Sequence, residues 1–310
     1  MIKISDLSFD YPGHRALDRI SFSVARGSVT ALVGSNGAGK TTLLRCIAGL
    51  EVPLLGSITV AGMNVVERPR DVHRMMGYLS DFFGLYQELT VSQCFEYAAE
   101  AQGLPAHEIV QAVQTTAQQL GLTNRLDQPT GTLSRGLRQR VAIGQAIIHS
   151  PQVLLLDEPA SGLDPEARNS LAALFRQLQA SGMTLLVSSH ILAELEEYST
   201  HMLALRDGKL LEYRAIGVVP GSTPHKRMGV TLAQPNQGLA AQLSSHATVT
   251  LKTSDMLSAE FDFAGDDAAL AALLASLVTA GLPITSFAEH KENLQQSYLR
   301  SIESRSGEQV

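Results

Sequence analysis

The nine residues Gly34-Ser35-Asn36-Gly37-Ala38-Gly39-Lys40-Thr41-Thr42 follow directly on the apolar run Val29-Thr30-Ala31-Leu32-Val33. Few arrangements satisfy that order. A buried strand runs into a glycine-rich turn, and the turn opens a helix carrying Lys40, Thr41 and Thr42. Glycines let backbone N–H groups turn inward and approach an anion closely. The helix N-terminus brings the positive end of its dipole to the same point. Lys40 is placed to reach β- and γ-phosphates, and the Thr41 hydroxyl to ligate Mg²⁺. A plain glycine turn with a surface lysine is the alternative, and the strand–turn–helix context argues against it.

A second acid-bearing segment supports the first. Leu156-Asp157-Glu158-Pro159 ends the apolar run Val153-Leu154-Leu155-Leu156. Such a run suits a strand buried on both faces of a parallel sheet. A carboxylate at its end can hold a magnesium ion that bridges phosphate oxygens, and Asp157 is the candidate. Glu158 projects differently and is placed to polarise an attacking water as general base. The two segments together read as a P-loop nucleoside triphosphatase.

The chain has 310 residues, enough for one large domain and a small one. Its net charge of −6 argues against nucleic-acid binding led by electrostatics, so no nucleic acid is expected as a partner. Two cysteines, Cys46 and Cys94, make neither a disulfide framework nor a zinc site. Cys46 lies among apolar residues and reads as a buried free thiol. The N-terminus begins like a strand rather than a signal peptide. No apolar run is long enough to span a bilayer. The nearest, Ala268–Ile284, places Leu270, Leu273, Leu274 and Leu277 at i, i+3, i+4 and i+7, the stripe of an amphipathic helix. Any membrane part must then come from another chain.

Along the chain, strand-like runs at Ile2–Phe9, Ser21–Val24 and Ser57–Val60 alternate with turns at Pro12-Gly13, Arg26-Gly27 and Ala61-Gly62. Leu89 to about Leu120 is helical, broken at Gly103-Leu104-Pro105. A helical run Val141–Ile148 precedes the acid strand. A helix at Pro165–Ala180 and a strand at Thr184–Ser188 follow it, which gives an α/β fold. Gly217–Pro224 reads as a linker. Beyond it the order is strand (Val230–Leu232), helix (Gly238–Leu243), strand (Thr248–Leu251), strand (Ala259–Phe263), helix (Ala268–Ala280) and strand (Ile284–Phe287), a ferredoxin-like β-α-β-β-α-β unit. His225, Lys226 and Arg227 read as a solvated basic patch of the linker. A last helix is expected over about Lys291–Ile302. The expected domains are therefore 1–216, a linker 217–224, and an α+β unit 225–310.

Which triphosphatase this is depends on a third set of motifs. Leu133-Ser134-Arg135-Gly136-Leu137-Arg138-Gln139-Arg140 lies upstream of the acid strand, and Ser161-Gly162-Leu163-Asp164 and His190 lie downstream. In this order and spacing the chain resembles the ATP-binding cassette (ABC) ATPases over about residues 1–215. The resemblance implies a RecA-like P-loop core with an antiparallel β subdomain and an α-helical subdomain. It implies that Tyr11 stacks on adenine and that Gly34, Ser35, Asn36, Gly37, Ala38, Gly39, Lys40, Thr41 and Thr42 cradle the phosphates. It implies that Asp157 supports Mg²⁺, Glu158 is the catalytic base, and His190 contacts the γ-phosphate. Ser134, Arg135 and Gly136 belong to the signature motif, which acts in trans on ATP held by a second copy. Asp164 lies in the loop linking the two sites across that homodimer.

Two departures stand out. The family usually has two glycines after the signature serine, and Arg135 replaces the first. The sequence LSRGxRQR resembles the ABC-2-type exporters, as does Gly84-Leu85-Tyr86-Gln87-Glu88-Leu89-Thr90-Val91. Asp81 stands where glutamine is common, as a further metal-ligand candidate. The resemblance thus implies an ATPase subunit of an ABC-2-type exporter, working with an integral membrane permease on the cytoplasmic face of a bacterial inner membrane. A soluble ABC ATPase acting on ribosomes or DNA is the competing reading. Such proteins usually carry two cassettes, coiled-coil or zinc insertions, which this sequence lacks. The small C-terminal unit is expected to stabilise the dimer, with ligand- or partner-linked regulation as the alternative.

Overall fold

The computed structural model describes residues 1–82, 84–191, 195–216 and 225–289. These residues fall into two compact units, one ending at Ala215 and one beginning at Ile216. The expected linker 217–224 and the expected helix over 291–302 lie outside the described residues.

In chain order the first unit contains β1 (Ile2–Tyr11), β2 (His14–Val24), β3 (Val29–Val33), α1 (Lys40–Ile47), β4 (Leu55–Val60), β5 (Met63–Asn64), α2 (Pro69–His73), β6 (Met76–Leu79), α3 (Val91–Ala101) and α4 (Ala106–Gln119). It continues with α5 (Arg135–Ile147), β7 (Val153–Leu156), α6 (Pro165–Ala180), β8 (Thr184–Ser189), β9 (His201–Arg206) and β10 (Lys209–Ala215).

Two sheets form here. One is antiparallel, in the order β2-β1-β4-β5. The other has six strands in the order β10-β9-β3-β8-β7-β6, parallel throughout except for the β10–β9 edge. β2 is longer than its apolar pattern predicts. The tight turn at Pro12-Gly13 carries pairing from Tyr11↔His14 through to Ile2↔Val24, and that ladder holds polar residues in the strand.

Every residue of β3, β7 and β8 is buried, as continuous apolar runs in a covered parallel sheet require. Between β6 and β7 lie the helices α3, α4 and α5. A capping box sets the start of α3, with the Thr90 side chain accepting from Gln93 N and the Gln93 side chain accepting from Thr90 N. Gly144 of α5 lets Phe95 pack closely, since a Cβ there would meet the Phe95 ring at 2.3 Å. α5 starts at Arg135, six residues before the apolar pattern begins, because the Ser134 side chain caps it by accepting from Leu137 N.

The second unit holds β11 (His225–Leu232), a helix at Leu239–Ser244, β12 (Val249–Ser254), β13 (Ser258–Ala264), a helix at Asp267–Thr279 and β14 (Ile284–Glu289). Its antiparallel sheet runs β12-β13-β11-β14, the ferredoxin-like order. Leu273 and Leu277 are buried in its core beside Phe261 and Phe263, with Leu270 packed partly against them. The basic triad reading is corrected here. His225, Lys226 and Arg227 lie in β11, paired with Ala264, Phe263 and Asp262 of β13. Lys226 bonds Asp267, and Arg227 Nε donates to Asp262 Oδ1 at 3.3 Å. Ladder pairing and acidic partners make this a strand, a role that charge alone did not reveal.

Candidate active site

Register in the six-stranded sheet builds the site. Val33 pairs with Ser189, Val187 with Leu156, and Leu156 with Leu79. The residues just beyond these strand ends therefore converge on one edge. They are the glycine loop after β3, His190 after β8, Asp157 and Glu158 after β7, and Asp81 after β6. Ligands of open α/β sheets bind outside the carboxyl ends of parallel strands.

The glycine loop is held closely at two points. A Cβ on Gly34 would lie 2.6 Å from Leu205 O, so the chain passes β9 with no room for a side chain. Gly39 has φ +101°, and a Cβ there would meet Ala16 O at 2.8 Å. Gly39 is also the N-cap of α1, and no side chain caps that helix. The first turn of α1 thus offers N–H groups and a dipole end to an anion. Tyr11, Ser35, Asn36, Gly37, Ala38, Gly39, Lys40, Thr41, Thr42, Asp81 and Glu158 line one cleft here, joined by His14 and Ala16. Tyr11 is 39% exposed, and its ring meets that of Phe9 in a T-shaped contact with centroids 4.9 Å apart.

Polar groups inside this edge are tightly linked. Lys40 is buried, and its Nζ donates to Gly34 O at 2.8 Å and Ser35 O at 3.3 Å. Glu158 Oε1 lies 3.7 Å from Lys40 Nζ. Glu158 Oε2 is 2.7 Å from His190 Nδ1 and accepts from His190 N at 3.4 Å. Glu158 has φ +47°, a left-handed conformation that a non-glycine residue adopts only under constraint. Ser188 supplies part of that constraint. Its Oγ accepts from Glu158 N at 2.9 Å and donates to Asp157 Oδ1 at 2.6 Å. Ser188, His14 and Ala16 escaped the sequence reading. For Ser188 the signal was a hydroxyl at the end of an otherwise apolar strand.

Asp157 is buried, and its Oδ2 has no hydrogen-bond partner among the described residues. A buried carboxylate oxygen left open is costly unless a cation completes it. Together with the Thr41 hydroxyl in the cleft, this donor set of hard oxygens fits Mg²⁺. Asp81 is exposed. Partial desolvation of its carboxyl, then the charges of Asp157 and Glu158, raise its pKa, while Arg135 and His190 pull it back. A negative neighbourhood of this kind also favours a cation.

The signature residues and Asp164 are not among the residues lining the glycine-loop cleft. Ser134 and Gly136 border a separate cleft beside α6 that includes Asp164. The Asp164 side chain caps α6 by accepting from Ala167 N at 2.8 Å. Arg135 Nη2 donates to Ser161 O at 2.8 Å.

Comparison with known proteins points to one family. The family model described as ABC transporter matches residues 17–161. The ABC transporter ATP-binding protein NatA of Bacillus subtilis is 34% identical over 216 residues, which is 68% of this chain and 88% of NatA. The Nod factor export ATP-binding protein I of Burkholderia thailandensis is 35% identical over 199 residues, 64% of this chain and 66% of that protein. A solved ATP-binding subunit of an ABC transporter superposes with a TM-score of 0.62 at 32% identity, covering 69% of this chain and 90% of the other. Likeness to these relatives over most of their length places the chain in the family of ABC transporter ATP-binding subunits, which bind and hydrolyse ATP.

Proposed function

We propose that this chain is the ATPase subunit of an ABC-2-type exporter, acting as a homodimer beneath an integral membrane permease. The Glu158 cluster carries the reading: one carboxylate faces both Lys40 and His190 beside an uncapped helix N-terminus. Likeness to a Nod factor export subunit supports transport outward.

In this reading the loop Gly34–Thr42 wraps the phosphates and Tyr11 stacks on the adenine. Lys40 exchanges its carbonyl partners for phosphate oxygens. Glu158 accepts a proton from the attacking water, and His190, held by Glu158, contacts the γ-phosphate. Thr41 and Asp157 hold Mg²⁺, with Asp81 alongside; the ion neutralises phosphate charge and orients its oxygens. Ser134 and Gly136 address the ATP of a second copy, where the capped N-terminus of α5 aims its dipole at phosphate. Asp164 joins the two sites.

Among the described residues no helix is long and apolar enough to cross a membrane. In this reading the permease is a separate chain and this subunit is peripheral on the cytoplasmic face of the inner membrane. This reading keeps the domain limits 1–216, 217–224 and 225–310, with the last unit stabilising the dimer. No nucleic acid takes part. The exposed Tyr86, its ring 6.4 Å from that of Tyr97, lies in the segment Gly84–Val91, which in the ABC-2-type ATPases it resembles docks the membrane subunit.

Affinity purification of the Glu158→Gln chain from detergent-solubilised membranes with ATP tests this. A stoichiometric polytopic membrane protein is the expected partner. Recovery of ribosomes or DNA in its place would refute it. Removal of residues 222–310 should weaken dimerisation, and unchanged dimerisation would refute the role given to the second unit.

A further inference from the structure

Arg135 stands where the family resemblance leads one to expect glycine, and its side chain has a defined destination. Its Nη2 donates to Ser161 O at 2.8 Å. The guanidinium lies over Gly162, where a Cβ would come within 2.4 Å of Arg135 Cζ. Gly162 has φ +67°, so the backbone there turns in the one way that leaves the space open. Ser161 N in turn donates to Glu158 O at 3.1 Å. A single peptide turn therefore connects the first residue of α5 to the strained residue Glu158.

We infer that Arg135 is a positioning residue: it latches the signature helix α5 to the Glu158–Asp164 turn of the same chain, so that the signature serine and the hydrolytic carboxylate move as one piece. This rests on the reading of Glu158 as general base. Glycine at this position would remove the one bond from Arg135 to the turn and leave α5 tied to the following helix by Arg140, which donates to Ser170 Oγ. Arginine suits the task because its planar fork stays charged and its donors are held in fixed directions.

The test uses the full-length chain with spin labels on cysteines introduced at the exposed positions Thr132 and Glu166. Cys46 and Cys94 are buried, and burial pushes the Cys46 thiol up to about 12, so the native thiols stay unlabelled. For Arg135→Gly the label distance distribution should broaden and kcat for ATP fall about fivefold, the scale of one charge-assisted hydrogen bond at an exposed site, with KM unchanged. Arg135→Lys should recover part of both. Gly162→Ala, which displaces the guanidinium, should reproduce both effects, and adding Arg135→Gly to it should bring little further loss. An unchanged distance distribution, an unchanged kcat, a KM that rises in step, or losses that multiply in the double variant would each overturn the latch. Should Arg135→Gly melt early, the Gly162→Ala and Arg135→Lys measurements decide by the same readouts. Glu158→Gln measured in parallel separates the two ideas. Lost turnover there with wild-type behaviour of Arg135→Gly sinks the latch alone, whereas retained turnover sinks the base assignment and the latch together.

Discussion

The two units treat polar groups in opposite ways. Among the described residues, every buried polar or charged side chain belongs to the first unit, including Lys40, Thr42, Asp157, Ser188 and Ser189. In the second unit the buried set is apolar, built on Phe261, Phe263, Leu239, Leu243, Leu273 and Leu277. Its charges pair at the surface: Lys226 with Asp267, and both Arg227 and Lys252 with Asp262. Burying a polar group costs free energy unless a partner repays it. The first unit keeps such groups and gathers Lys40, Thr42, Asp157, Ser188 and Ser189 at one sheet edge, where the Asp157 Oδ2 is left open. The second keeps none. That contrast separates a region shaped to receive a charged ligand from one shaped to fold and pack.

Four measurements can break or sharpen the contrast. Glu158→Gln should lower the rate of ATP hydrolysis by about 10²- to 10⁴-fold while ATP still binds, because a general base is lost and the cradle is kept. Phosphate release together with nucleotide binding would show it, and preserved turnover would remove Glu158 from the mechanism. Phe261→Ala should cost the second unit about 3–5 kcal/mol by leaving a cavity in its core, read by denaturant unfolding. A cost below about 1 kcal/mol would show that this core is loosely packed.

Lys40→Ala should weaken ATP binding by about 10- to 100-fold, the span expected for a lost charged donor. Undiminished affinity would mean that the loop backbone alone holds the phosphates. Asp81→Asn should have the smallest effect. Its raised pKa means that the folded chain holds the Asp81 proton more tightly than the unfolded chain does. The stability it contributes is complete below the ordinary aspartate pKa and is lost as pH rises through the raised value. Asparagine should therefore be neutral near pH 3 and stabilise near pH 7, by no more than about 0.5 kcal/mol at so exposed a position. Urea midpoints at the two pH values would show it, and a loss at pH 7 would reverse the assigned sign.

Much of the site was legible along the chain because its chemistry is local. The glycine loop, Lys40 and Thr41 follow one strand, and Asp157 and Glu158 end another, so spacing alone put them at strand ends. Helix limits were legible where caps are local too: Asp164 and Pro165 mark the start of α6, and the break at Gly103-Leu104-Pro105 separates α3 from α4. The basic triad at His225–Arg227 was misread because its partners, Asp262 and Asp267, lie far along the chain. Charge at short range says nothing about pairing at long range.

By itself, then, the sequence determined where the glycine loop and the acid pair fall and which periodic segments become strands and helices, since both depend on neighbours within a turn or two. Only the tertiary structure decided that parallel register brings four strand ends to one edge. It alone decided that Ser188 ties Asp157 to Glu158, and that the Arg135 guanidinium goes to Ser161. Those contacts join residues separated by tens of positions, and no local pattern encodes a distance that the packing of the whole sheet must set.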